Sequence, residues 1–412
     1  MLYKVLAMLT SYLDIKEDNM KAYERSHPWI KFEANLRNAS PSLWVLLGEA
    51  VSKVEHLSQS PLKPALAKEF MQVALIKGAV ATTAIEGNTL TEDQVRKILD
   101  GKLKLPPSQA YLKQEVDNVI RACNQLGKEI QSGTIPPMTT ERIVQWNSQL
   151  LDGLKLEPEV RPGEIRKHSV TVGRYLGAPA QECEYLLGRL CAWLPTLAAS
   201  AGDKEDLKMP FAIIQAILAH LYMAWIHPFG DGNGRTARMV EFQLLVQAGV
   251  PSVAAHLLSN HYNQTRSEYY RQLDHSSKSG GEILQFLLYA TAGLVDGLRM
   301  QIDQVNQQQI TLAWRDYTHE QIFETQSSCN ERRFRLLKAL TRLESPVKIE
   351  TIIDKNGRLA KDYVGKTSKT MTRDINALIE MGLVEKTHQG LVARIELIHA
   401  FLPPRQNSNH QD

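Results

Sequence analysis

Apolar positions along this chain recur mainly at helical spacing, and strand-like alternation is confined to short stretches. A strong helical pattern runs from about Lys68 to Ile85 and stops at Gly87-Asn88, a pair that readily takes left-handed backbone angles at a helix end. Thr91-Glu92-Asp93-Gln94 has the form of a capping box, and Val95, Ile98 and Leu99 follow it on one apolar face. Leu105-Pro106-Pro107 breaks that helix, and further helices are predicted near 112–131 and 139–151. From Pro210 to Ile226 almost every position is apolar, as in a helix buried on all sides, and Pro228 terminates it. Another helix is predicted from Gly234 to Ala248, closed by Gly249 with Pro251 just beyond. The best hairpin candidate is Ser169 to Tyr175, with β-branched alternation and a glycine.

Between Gln301 and Asn330 the chain is polar and Gln-rich, as in a connecting helix or linker. Residues 331–394 read as helix, short helix, helix and β-hairpin. Leu336, Leu340 and Leu343 form one apolar stripe, and Met371, Ile375, Leu378 and Ile379 another, with Thr367-Ser368 as the cap of the second long helix. No internal repeat of 20 to 50 residues is visible.

At 412 residues the chain predicts two or three domains. Its net charge of +3 supports no global claim of polyanion binding. Residues 331–394 nevertheless carry 14 Lys/Arg against 8 Asp/Glu, so the positive excess is concentrated there. Cys123, Cys183, Cys191 and Cys329 show neither a CxxC pair nor zinc-finger spacing to histidine, and are read as thiols in a reducing compartment. The apolar start Met1–Leu9 lacks a small-residue cleavage site and runs into Asp14, Lys16, Glu17 and Asp18, unlike a signal peptide. No apolar run approaches the ~20 residues of a membrane span. The expectation is a cytoplasmic protein without a membrane partner.

The chemistry concentrates in His227-Pro228-Phe229-Gly230-Asp231-Gly232-Asn233-Gly234-Arg235-Thr236-Ala237-Arg238, between two predicted helices. Three glycines in five positions let backbone N–H groups converge as an anion nest, and the following helix adds its positive N-terminal end. Arg235 and Arg238, at i and i+3, lie on one side of that helix and reach a polyphosphate. Asp231 supplies a hard oxygen ligand suited to magnesium. His227, with an ordinary pKa near 6.5, suits a general base. The Walker loop and the Rossmann fingerprint both need a preceding strand, which this helical setting does not provide.

The stretch resembles the Fic family signature His-x-Phe-x-Asp-Gly-Asn-Gly-Arg-x-x-Arg at every fixed position, and the likeness extends over about residues 60–300. The resemblance implies a helical fold and transfer of AMP from ATP to a hydroxyl side chain of a target protein, which could be the enzyme itself. It implies that His227 deprotonates the Ser, Thr or Tyr hydroxyl and that Asp231 holds Mg2+. Gly232, Asn233, Gly234 and Arg235 would cradle the phosphates, Arg238 would hold the γ-phosphate, and Phe229 would pack beneath the loop. Val172-Gly173-Arg174 resembles the family's target-binding flap, which pairs by strand addition. Tyr269-Tyr270 resembles a pair flanking the adenine pocket, with helix packing as the plain alternative. Ser277 stands where some relatives carry an adenine-contacting Asn. His220 is read as a buried, hydrogen-bonded histidine.

Thr82-Thr83-Ala84-Ile85-Glu86-Gly87 resembles the family's inhibitory motif, Ser/Thr-x-x-x-Glu-Gly/Asn. A glutamate near a helix C-terminus faces the negative dipole end and calls for a cation. By the resemblance that cation is Arg238, which makes the enzyme autoinhibited. Two charges 4 Å apart attract by roughly 4 kcal/mol at an effective dielectric of 20. Some relatives also use this glutamate to position water and remove AMP.

The expected fold is all-α: a Fic-type helical domain with a small β-hairpin flap, plus a C-terminal winged helix-turn-helix. The expected boundaries are 1–65 (N-terminal helical region), 66–300 (catalytic domain with inhibitory helix), 301–330 (linker), 331–402 (winged helix) and 403–412 (tail). The C-terminal domain would contact DNA or protein, and a homodimer is left open. An ATP-sensing, DNA-binding regulator is the alternative reading, and transfer of another phosphate-linked group is a third.

Overall fold

Capping and proline placement set the helix starts in the first of the chain's two units. The computed structural model describes residues 20–399, apart from 326, 344–345, 349–351, 353–356, 364–365 and 367. The expectations for Met1–Leu9, the Thr367 cap and the tail after Pro403 lie outside the described residues. The units divide between Ile302 and Asp303.

The first unit begins with α1 (Ala22–Ser26), α2 (Pro41–Gln59) and α3 (Pro64–Ala84). Proline opens α2 and α3, where a missing N–H costs no helical bond. After α3 the chain turns through Gly87 at φ 102°, and Asn88 N–H reaches back to Thr83 O at 3.1 Å. The capping box forms as its residues dictate: Thr91 Oγ1 accepts from Gln94 N–H, and Gln94 Oε1 accepts from Thr91 N–H at 2.9 Å. It opens α4 (Glu92–Leu99), and α5 (Ala110–Gln131) and α6 (Thr140–Leu151) follow. A two-residue turn joins β1 (Thr171–Val172) to β2 (Tyr175–Leu176), paired antiparallel. Helices α7 (Cys183–Ala199), α8 (Glu205–Ile226), α9 (Asn233–Gln247), α10 (Ser252–Ala255), α11 (Leu257–Gln264) and α12 (Arg266–Lys278) complete the unit's frame.

The centre of this unit is α8, which packs against both α7 and α9. Thirteen of its residues are buried, including His220, Tyr222 and Trp225. It begins five residues before the predicted Pro210, because Glu205 and Asp206 in the first turn complement the helix dipole. Proline near that turn forfeits only one early backbone bond. At 22 residues α8 is also long and apolar enough to cross a membrane, contrary to the expectation that no such run exists. Here that apolar surface is the protein core, and 72% of it is buried. Helix α3 packs against α5 and α11, and α9 against α6, so α9, which follows the loop of interest, and α3, which precedes Glu86, are both held from behind.

Leu284–Phe323 is a single 40-residue helix, α13, so the Gln-rich stretch is helical through Phe323. In the second unit Trp314 and Ile322 of α13 share a core with Leu336, Leu337 and Leu340 of α14 (Asn330–Thr341). That core also takes Leu359 and Tyr363 of α15 (Gly357–Tyr363) and Met371, Ile375 and Leu378 of α16 (Ser368–Glu380). Strands β3 (Val384–Thr387) and β4 (Gly390–Ala393) pair antiparallel, Val384 facing Ala393, and Val347 bridges to Leu391 at the edge. Asp374, 1% exposed, accepts from Arg332 Nε at 2.6 Å and Tyr363 Oη at 3.0 Å.

The position of α3 depends on a close approach at Gly78. A Cβ there would collide with the buried His256 ring, which stacks on Phe242 with centroids 4.4 Å apart. Burial depresses the His256 pKa to about 4. Gly78→Ala should therefore destabilise the unit by about 1–3 kcal/mol through overpacking. Denaturant titration checks this, and an unchanged midpoint would remove His256 as the contact that seats α3.

Candidate active site

The loop between α8 and α9 is shaped by a residue in an uncommon conformation. His227 ends α8 at φ 51° and ψ 59°, left-handed and not glycine. Its N–H bonds Met223 O at 3.0 Å, and its carbonyl accepts from Arg166 Nε at 2.7 Å. Two residues on, Phe229 is 1% exposed and forms an antiparallel bridge with Ile165. Asn233 then clips the loop shut: Oδ1 accepts from Phe229 N–H at 2.9 Å and Nδ2 donates to Phe229 O at 2.8 Å. Gly232, at φ 75°, makes the turn into α9, a conformation that side chains disfavour. From behind, Asn147 Nδ2 donates to Asp231 O at 3.0 Å and Thr236 Oγ1 at 3.2 Å.

The two arginines of the motif part company. Three residues along a helix leave their directions about 60° apart, and that is enough to give them different neighbours. Arg238 is 2% exposed: its Nη2 meets Glu86 Oε1 at 2.6 Å and Thr82 O at 2.9 Å, while Nε donates to Thr82 Oγ1 at 2.5 Å. Arg235 turns toward α5 and pairs with Glu115 and Asp231, each at 3.3 Å. Arg235 buttresses Asp231 and stands outside the cavity wall, whereas Arg238 lines it. Gly234 leaves the room that Glu86 occupies; a Cβ there would run into the carboxylate.

Charges set the protonation states. Burial works to raise the Glu86 pKa, but the charge and hydrogen bond of Arg238, together with Arg235 and His227, outweigh it, so Glu86 sits below the usual carboxylate range. Burial alone would weaken the Arg238 cation, and Glu86 reverses that. His227 falls to about 4, chiefly through burial and also through the Arg166 charge, which together overcome Glu86 and Asp231. Its imidazole is therefore neutral at pH 7, with a lone pair to accept a proton.

A cavity of about 660 Å³ opens onto these groups. Glu86, His227, Asp231, Gly232, Asn233, Gly234, Arg238, Tyr269, Tyr270 and the hairpin residues Val172, Gly173 and Arg174 all line it. Phe229 and Arg235 do not. Tyr269 stacks on Tyr262 at 4.8 Å and bonds His220 Nε2 at 2.8 Å; His220 Nδ1 in turn faces Glu241 at 3.3 Å. Tyr270 is 42% exposed and donates to Ile85 O at 3.3 Å. Ser277 is buried, donates to Asp274 O at 3.0 Å and stays outside the cavity wall.

Sequence reasoning missed several supports. Tyr175 lines the cavity and ties the hairpin to α8 through its hydroxyl, which donates to Trp225 O at 2.7 Å. Asn147 and Arg166 reach the loop from other elements and carry no local signature. Thr82 stood inside the quoted inhibitory motif, so the signal for its contact with Arg238 was present.

Residues 137–245 match the model of the Fic/DOC family. The chain carries a Fic/DOC domain. Within it lie α6, the hairpin, α7, α8 and nearly all of α9. The chain is 30% identical over 208 residues to protein adenylyltransferase fic-1 of Caenorhabditis briggsae, covering 50% of this chain and 37% of that protein. It is 25% identical over 260 residues to protein adenylyltransferase Fic of Nematostella vectensis, covering 62% and 56%. The chain thus spans well under two thirds of these relatives. Among solved structures, a Fic family protein from Desulfovibrio desulfuricans superposes with a TM-score of 0.53 at 19% identity, covering 87% of this chain and 94% of that one. Fic-1 from C. elegans gives 0.52 at 22%, covering 65% and 73%. These likenesses establish the mostly helical Fic fold.

The Asn233 clip makes a clear prediction. Asn233→Ala strands the buried Phe229 N–H, and a lost partner of that kind costs about 1–3 kcal/mol. The denaturation midpoint of the Fic unit should fall accordingly; full retention would mean the loop holds its shape without the clip.

Proposed function

We propose that this chain is a protein adenylyltransferase, moving AMP from ATP to a Ser, Thr or Tyr hydroxyl, and that Glu86 restrains it. The supporting observation is one cavity lined by a neutral His227 and by Arg238, whose Nη2 is held by Glu86 at 2.6 Å. In this reading the triphosphate lies along the Gly232–Gly234 turn, against the N-terminus of α9. A target hydroxyl gives its proton to the His227 ring as its oxygen bonds the α-phosphorus. The bond from that phosphorus to the bridging oxygen breaks, and pyrophosphate leaves. His227 thereby holds the proton that the hydroxyl gave up.

Asp231 fits a magnesium site by its donor chemistry. Its carboxylate lines the cavity with its side chain 48% exposed, and a single carboxylate completed by phosphate and water oxygens is the set this ion takes. Bound there, Mg2+ would offset phosphate charge. Arg235 would keep Asp231 aimed, because its Nη2 already holds Asp231 Oδ1. The exposed hairpin residues Val172, Gly173 and Arg174, which line the cavity, would receive the target segment by strand addition.

The restraint is a competition for Arg238. A γ-phosphate needs the guanidinium face that Glu86 holds, so productive binding requires Glu86 to withdraw. For the second unit we propose a winged helix, supported by the order α14, α15, α16 and the β3–β4 hairpin. Three of its arginines are held in ion pairs within the unit, Arg332 and Arg333 with Asp374 and Arg335 with Asp362 and Glu331, while the net basic excess of residues 331–394 remains. Free thiols at all four cysteines accord with a cytoplasmic setting.

Two variants test the reading with labelled ATP. Glu86→Gly should raise AMP incorporation into the protein itself by more than about 10-fold, the equivalent of about 1.4 kcal/mol released at Arg238; no rise would remove the restraint. His227→Ala in that background should abolish transfer and leave ATP binding intact. Transfer that survives would refute the base, whereas intact ATP binding in a Glu86→Gly protein that never transfers would favour the alternative, an ATP-sensing regulator.

A further inference from the structure

Arg166 carries a buried charge that the transfer chemistry does not use. It is 4% exposed, and the hydrogen bonds of its guanidinium go to backbone carbonyls. Nε donates to His227 O at 2.7 Å, and Nη2 reaches Ile226 O at 3.5 Å, both at the carbonyl end of α8. Nη1 donates to His168 O at 2.7 Å, three residues before β1, and Nη2 also donates to Ala178 O, two residues after β2. Its own N–H meets Pro228 O at 3.0 Å. One side chain therefore joins both feet of the hairpin to the residue that would act as base.

The local chemistry explains why an arginine stands there. The last carbonyls of a helix lack partners within it and carry its partial negative charge. A planar fork of five N–H donors can satisfy several such acceptors at once, and a lysine cannot hold that geometry. The hairpin closes just below, Gly177 N–H bonding Val170 O at 3.0 Å. A Cβ on Gly177 would sit 2.9 Å from Arg166 Nη2 and 3.0 Å from His227 Cβ, so glycine is what allows the hairpin foot, the guanidinium and the histidine to meet.

We propose that Arg166 is a positioning residue that fixes His227 in its left-handed conformation and locks the β1–β2 hairpin to it, so that base and target strand keep one register. This rests on the adenylyltransferase reading for its kinetic consequence but not for its structural one. A misplacement of about 1 Å at a reacting group costs about 10²-fold in rate. The loss falls on kcat, since the groups that line the phosphate site are untouched.

The test uses the full chain carrying Glu86→Gly, with Arg166→Lys and Gly177→Ala added separately. Self-modification with labelled ATP gives kcat and KM, and amide hydrogen exchange follows His227 and Gly177. Each variant should lower kcat by about 10²-fold with KM for ATP within about twofold. Exchange at both amides should rise together. Gly177→Ala retains the Arg166 side chain and only crowds it, so the inference stands on it if Arg166→Lys fails to fold. A kcat within twofold of the parent, a loss confined to KM, or exchange that rises at one amide and not the other overturns the coupling. If the Glu86→Gly parent transfers no AMP, it is the adenylyltransferase reading that fails, and the paired exchange still decides whether Arg166 locks the hairpin to His227.

Discussion

A guanidinium buried to 2% exposure needs acceptors, and Arg238 finds them on the last turn of α3 and in the turn that follows it. An unpaired cation in such a place is prohibitively unfavourable. Thr82 O, among the last carbonyls of α3 and so without a helical partner, takes one N–H. Thr82 Oγ1 and Glu86 take the others. Glu86 itself stands at the negative end of α3, where a carboxylate is opposed by the helix dipole, and Arg238 offsets that too. Each group is thus tolerable because of the other. The contact joins α3 to α9 across 152 positions of sequence, and it fixes what the neighbouring residues can be. Gly234 keeps no side chain because Glu86 fills that space.

What could be read beforehand was what the chain writes locally. The all-apolar α8, the capping box at Thr91, the turn after α3 and the short hairpin follow from residues within a few positions of one another. The residues from His227 to Arg238 also form one loop and the start of one helix, so it was legible that His227, Asp231, the Gly232–Gly234 turn and Arg238 would meet in a single cavity, as was the Glu86–Arg238 pair by family likeness. Less legible was where each side chain would turn. Arg235 and Arg238 look equivalent in sequence, yet α5 offers Glu115 to one while the turn after α3 offers Glu86 to the other. Asn147 and Arg166 act on the loop from far along the chain, and no spacing rule announces them. Asn233, read as part of a phosphate cradle, spends its side chain on the backbone of Phe229.

The histidine shows how the fold changes a residue's chemistry without changing its identity. An ordinary imidazole near 6.5 would be partly protonated at neutral pH. Burial, helped by the Arg166 charge, takes His227 to about 4 against the pull of Glu86 and Asp231. The base is therefore free at pH 7, but its affinity for a proton is low in the resting site. An anion added to the cavity would raise that affinity, because it opposes the same positive field.

That places the restraint and the base in one electrostatic system. In the resting protein Glu86 serves Arg238 and also adds negative charge near His227. In the proposed reaction a triphosphate takes over both tasks. Arg238 exchanges one anion for another and is never left as a bare buried cation, so the exchange involves a shift in geometry more than a loss of charge compensation. The difference lies in what each anion leaves free. Glu86 occupies the space over Gly234, whereas a nucleotide would bring its α-phosphorus toward a histidine that Arg166 already holds in place. A site built this way can be restrained by a single carboxylate because the carboxylate stands in for the substrate's own charge.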